Sequence, residues 1–170
     1  MKRLALICGA MLIFAGVASA QDTPKAEVFG GYTFAHLSSS GTGANANGGS
    51  ASLSYNPNSW LGIVGDFGGY HADSNLGNAN VYTYLFGPKI AFRKGPITPF
   101  VQTLLGGAHL TASGLNTSLN SFAMTLGGGL DWNAKEHIGV RLIQAEYFMT
   151  NFASTRQNGV RISTGVVLRF

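Results

Sequence analysis

From Ala26 onward the chain alternates apolar side chains with small or polar ones, and it does so in eight runs divided by turn-forming breaks. A period of two places successive side chains on opposite faces of a strand. The last run shows this most fully. Val160, Ile162, Thr164, Val166, Leu168 and Phe170 share one face, and Arg161, Ser163, Gly165, Val167 and Arg169 share the other. One face suits hydrocarbon and the other water. A chain built this way must either bury its apolar face against a second layer or turn it outward into lipid.

The other runs repeat the pattern. Residues 26–36 set Val28, Gly30, Tyr32 and Phe34 against Glu27, Gly31, Thr33 and Ala35, with Phe29 as an exception on the polar side. Residues 49–55 alternate Ala51, Leu53 and Tyr55 with Ser50, Ser52 and Ser54, and in 60–70 Leu61, Ile63 and Phe67 oppose Asp66. In 80–93, Tyr82, Tyr84, Phe86, Ile90 and Phe92 face away from Thr83, Gly87, Lys89 and Arg93; in 121–132, Phe122, Met124, Leu126, Leu130 and Trp132 face away from Ser121, Ala123, Thr125, Gly127 and Asp131. Residues 99–111 are apolar on both faces apart from Gln102 and His109, so their direction stays open. In 138–149 the spacing of Arg141, Gln144 and Glu146 breaks parity, which requires either a bulge near 142–144, the preferred reading, or one polar residue facing outward near a membrane boundary. Glycine is too frequent inside the runs for helices, and no stripe spaced by three and four competes.

The breaks alternate between two kinds. Residues 56–59, 94–97 and 133–137 are short and rich in turn formers, whereas 37–48, 72–79, 112–120 and 150–158 read as generally longer loops of Ser, Gly, Asn and Thr. Eight strands joined this way predict an all-β, antiparallel, up-and-down transmembrane β-barrel with both chain ends and the short turns in the periplasm and the longer loops outside. Composition favours lipid over a soluble sandwich or lipocalin-like barrel. Only 11% of residues are charged and 45% are hydrophobic, and the polar face is mainly Ser, Thr, Gly and Ala with only occasional charges. Backbone groups in hydrocarbon must be paired within the protein, which a sheet achieves by closing on itself. Tyr32, Phe34, Tyr55, Trp60, Tyr82, Phe92, Phe100, Trp132, Phe148 and Phe170 fall near strand ends, where aromatic girdles are expected.

Residues 1–20 read as a cleaved secretory signal peptide: Lys2 and Arg3, an apolar run over 4–17, and Ala18-Ser19-Ala20 before Gln21. The barrel domain is then 21–170. The single cysteine, Cys8, lies in the removed segment, so disulfides and thiolate metal sites are not expected. Removing Lys2 and Arg3 takes eleven Lys+Arg to nine against seven Asp+Glu, a net charge of +2. The remaining cations are scattered, and no nucleic-acid partner is expected.

Glu27, Asp66, Lys89, Arg93, Asp131, Arg141, Glu146, Arg161 and Arg169 are the candidate lumen charges. In a bore as small as that of eight strands, opposite charges would pair and plug the interior. The three histidines of the runs, His36, His71 and His109, are too far apart in sequence to mark a metal site, and all fall near outer strand ends. No cofactor or metal is expected. Gly127-Gly128-Gly129 lies within a strand and precedes no helix, so close packing rather than phosphate binding accounts for it.

The first strand Glu27-Val28-Phe29-Gly30-Gly31-Tyr32, the Phe86-Gly87-Pro88-Lys89 segment followed by Thr98-Pro99-Phe100, and the 141–147 strand resemble small OmpA-like outer-membrane β-barrel domains. The resemblance spans the whole of 21–170. It implies a small monomeric barrel in the bacterial outer membrane, with an envelope structural role and narrow, porin-like solute passage as a further expectation. The partners it implies are outer-membrane lipids and lipopolysaccharide, and the barrel assembly machinery reading Ile162, Thr164, Val166, Leu168 and Phe170. A cell-wall anchoring role, which longer relatives resemble, is not expected. Two alternatives remain. His36-Leu37-Ser38 resembles the His/Ser use of lipid A deacylases, although Ser39-Ser40-Gly41 replaces the Asn those enzymes carry close behind the pair, and His71-Ala72-Asp73-Ser74-Asn75 has the wrong spacing. An adhesin would act through 150–158 with Phe152 and Arg156. An enzyme is not the expectation.

Overall fold

The computed structural model describes residues 23–39, 42–74, 77–112, 117–152 and 155–170, with the backbone alone described at 37–39, 42–44, 72–74, 77–79, 112, 117–119, 151–152 and 155–157. The segment 1–20 and the side chains of Leu37, Ser38, Asp73, Phe152 and Arg156 lie outside the described residues.

Eight strands follow in order: β1 (Ala26–Ser39), β2 (Thr42–Tyr55), β3 (Leu61–Ser74), β4 (Gly77–Ala91), β5 (Ile97–Ala112), β6 (Thr117–Trp132), β7 (Ile138–Phe152) and β8 (Thr155–Arg169). Each pairs antiparallel with its sequence neighbours, and β1 pairs with β8 to close the barrel. At the seam Ala26 and Phe170 exchange backbone bonds, N to O at 3.1 and 2.9 Å. No sheet edge is left among the described strands, which answers the main liability of an open sheet.

The rim that carries Ala26 and Arg169, here the terminal rim, turns through residues 56–60, 92–96 and 133–137. Gly95 takes φ +93°, a conformation that favours glycine, and so lets the chain reverse between β4 and β5. At the opposite, far rim the expected long loops are corrected. β1 and β2 stay in register to Ser39↔Thr42, β3 and β4 to Ser74↔Gly77, β5 and β6 to Ala112↔Thr117, and β7 and β8 to Phe152↔Thr155. Small polar residues keep the backbone ladder as well as apolar ones do. The change at residues such as Asn45 and Asn80 is a change of outward surface, not the end of a strand. Five residues separate the strands at each terminal-rim turn and two to four at the far rim, the reverse of the expected order.

Parity decides which side chains fill the barrel. Ser50, Ser52 and Ser54 point in while Leu53 and Tyr55 point out, and Thr83, Leu85 and Lys89 point in while Tyr82, Tyr84 and Phe86 point out. β5 turns Phe100, Gln102, Leu104 and Ala108 inward and Ile97, Val101 and Leu105 outward. On β7 a bulge puts both Leu142 and Ile143 outside: Arg141 pairs with Gly165 but Gln144 with Ser163. The extra residue restores parity, so that Arg141, Gln144 and Glu146 all point in. The expectation of a girdle position is corrected for Phe100 and Phe148, both buried in the lumen.

Candidate functional site: the barrel lumen

The inward positions nearest the terminal rim carry a charge cluster centred on Glu27. Its carboxylate accepts from Lys89 Nζ at 2.5 Å and Arg93 Nη2 at 3.3 Å, and Arg169 Nε lies 3.7 Å away. Arg169 also approaches Asp131 at 3.9 Å, which links this cluster to a second one. There Arg141 binds both oxygens of Asp131, at 2.8 and 3.1 Å, and donates to Gln144 Oε1 at 2.6 Å. The guanidinium lies over the rings of Phe29 and Phe100, at 4.3 and 4.5 Å from their centroids. These two inward aromatics thus serve as platforms for the cation. Gly127 keeps room for the next layer, since a Cβ there would lie 2.5 Å from Glu146 Cα.

Farther along the barrel Arg161 gathers groups from two other strands. It donates to Glu146 at 2.7 Å, to Asp66 at 2.9 Å and to the Tyr70 phenol at 2.9 Å. Gln102 Nε2 donates to the other oxygen of Glu146 at 2.9 Å. Five cations and four carboxylates are therefore drawn into linked networks, each ion with an oppositely charged partner. All nine candidate lumen charges lie here.

Beyond Arg161 the inward face becomes mainly apolar through Ala35, Ala46, Tyr70, Val81, Ala108 and Phe148, with the hydroxyls of Thr83, Ser121 and Thr150 set among them. A cavity of about 20 Å³ remains between this layer and Arg161, little more than one water needs. Sequence reasoning missed this layer. Its signal was the apolar residue on the inward parity of β4 and β5, namely Leu85 and Leu104, both fully buried.

The outward surface differs between the rims. Large apolar side chains stand exposed around the barrel, from Tyr55, Trp60, Phe92 and Trp132 at the terminal rim to Tyr32, Tyr82 and Phe122 towards the far one. A continuous surface of this kind is out of place in water. Closer to the far rim it gives way to hydrogen-bonded pairs: His36 Nδ1 with Asn45 Oδ1 at 2.6 Å, His71 with Asn80 at 2.7 Å and His109 with Asn120 at 2.7 Å. His36, the base of the deacylase-like alternative, thus points outward and is held by a carboxamide.

Residues 5–170 match the family described as outer membrane protein beta-barrel domain. The chain belongs to this family. Among solved structures, this outer-membrane barrel is similar to Neisserial surface protein A, with 16% identity over 88% of this chain and 100% of that one and a TM-score of 0.73. Ail, the attachment invasion locus protein of Yersinia pestis, gives 17% identity over 86% and 99% with a TM-score of 0.57. The N-terminal barrel of Pseudomonas aeruginosa OprF gives 14% over 86% and 98% with a TM-score of 0.53. At these identities the likeness shows the fold alone. No curated protein matches the chain. For an outer-membrane barrel, the exposed apolar band is the lipid-facing surface and the paired charges fill the interior.

Proposed function

We propose that this outer-membrane barrel is a closed, monomeric structural element of the bacterial envelope. Its lumen is a plug rather than a pathway. The observation that carries this reading is the continuity of the filling, from Glu27 and its three cations through Arg141 and Arg161 to the apolar layer around Phe148. Passage would require Arg161 to leave Glu146 and Asp66 together, uncovering two carboxylates in a low-dielectric interior.

In this reading residues 1–20 are an export signal that is removed, the terminal rim faces the periplasm and the far rim faces outward. The outward row Ile162, Thr164, Val166 and Leu168, ending at Phe170, is the segment the barrel assembly machinery would take up. Outer-membrane lipids and lipopolysaccharide are the other partners, and no enzymatic activity is assigned.

A strain lacking the protein tests structural against porin-like function. A structural role predicts raised sensitivity to detergents and large antibiotics, with uptake of small sugars and amino acids unchanged. Slower uptake of one small solute with an intact detergent barrier would overturn the reading in favour of passage.

A further inference from the structure

The His–Asn pairs recur in three successive hairpins. Each joins an outward imidazole on an odd-numbered strand to an outward Asn directly opposite on the next strand: His36↔Asn45, His71↔Asn80 and His109↔Asn120. The fourth hairpin sets Met149 opposite Asn158. The pairs lie just past the last outward aromatics. Asn80 is one outward position beyond Tyr82, and Asn120 is one beyond Phe122. Beside them, Tyr32 donates its phenol to Asn47 at 2.7 Å. The terminal rim has no such belt on its strands among the described residues, where Tyr55, Trp60, Phe92 and Trp132 continue the apolar surface to the turns.

We propose that this belt binds the phosphates of bilayer lipids in the leaflet around the far rim. The proposal rests on the membrane-embedded reading above. Polar pairs of this kind are costly in hydrocarbon, so three at one height place that height in the headgroups. With Nδ1 donating to the Asn carbonyl oxygen, the carboxamide NH₂ and the far side of the imidazole are turned to the surroundings at His36 and His109. Both offer donors matched to phosphate oxygens, the carboxamide always and Nε2 in the protonated ring. The outward face of a membrane barrel meets lipid. The change of polarity from one rim to the other suits two unlike leaflets.

The test is solid-state NMR at about pH 5, below the ordinary imidazole range, of the folded full-length mature chain, with ¹⁵N-labelled histidine, in vesicles of dimyristoylphosphatidylglycerol. Nitrogen–phosphorus dephasing is read at the imidazoles, which are assigned by single His→Gln variants. Contacts from the Leu105 and Val166 methyls to acyl-chain protons are recorded on the same sample. Phosphorus dephasing at His36 and His109, together with the methyl contacts, is the expected result. Methyl–acyl contacts without imidazole dephasing would overturn the belt alone. Loss of both would overturn the belt and the membrane reading beneath it.

Discussion

Arg161 and Glu146 sit directly opposite each other on β8 and β7, joined by Nε–Oε2 at 2.7 Å, and the same guanidinium reaches Asp66 on β3 at 2.9 Å. One cation therefore ties the closing strand to the other side of the barrel. Removing it leaves two buried carboxylates short of a counter-charge. Arg161→Met is expected to cost about 3–5 kcal/mol. Combining it with Glu146→Gln and Asp66→Asn should recover a large part of that loss, because the three groups act as a unit. Urea unfolding in vesicles, followed through Trp60 and Trp132 fluorescence, measures both.

Arg141 allows a test that keeps the charge. Lysine at this position cannot make both bonds to Asp131 and cannot stack its head flat between Phe29 and Phe100. Arg141→Lys should destabilise the barrel by about 2 kcal/mol. A loss indistinguishable from zero in the same unfolding assay would mean that position 141 needs only a positive charge.

Closure, strand count and the inward placement of the charges were legible because a barrel filters its sequence through a period of two. Phe170 and the alternation behind it already separated Arg161 and Arg169 from Ile162 and Leu168. β5 was not legible, since Phe100 and Leu104 fill the lumen with the same kind of side chain that Val101 and Leu105 turn outward. The far strand ends were misread as loops for a different reason. Pairing there runs through backbone groups, and a stretch such as Asn45-Ala46-Asn47-Gly48 signals only that the outward surface is no longer apolar. The His–Asn pairs escaped notice because partners nine or eleven residues apart meet only once the hairpin register is known.

Depth in the apolar band should scale the cost of an outward charge. Leu126→Arg, at the middle of β6, is expected to lose about 2–4 kcal/mol, and Thr111→Arg, near the far rim, about 0–1. Equal losses in vesicle unfolding would mean that the band does not sit in hydrocarbon.

Gly127 and Gly30 separate close packing from simple strand propensity. A Cβ at Gly127 would stand 2.2 Å from the Ala145 carbonyl oxygen, whereas one at Gly30 meets nothing within 4 Å. Gly127→Ala should cost about 1–3 kcal/mol, and Gly30→Ala should stay within about 0.5 kcal/mol of wild type. Matching changes for the two variants would show that β6 and β7 can separate without penalty.

The plugged lumen is tested most directly by single-channel recording from refolded wild-type barrel in planar bilayers, on protein whose folded state is verified by its heat-dependent shift on a gel. The interlocked Glu27, Arg141 and Arg161 networks and the apolar layer beyond them predict no discrete openings. Reproducible unitary openings from folded wild-type protein would contradict the account.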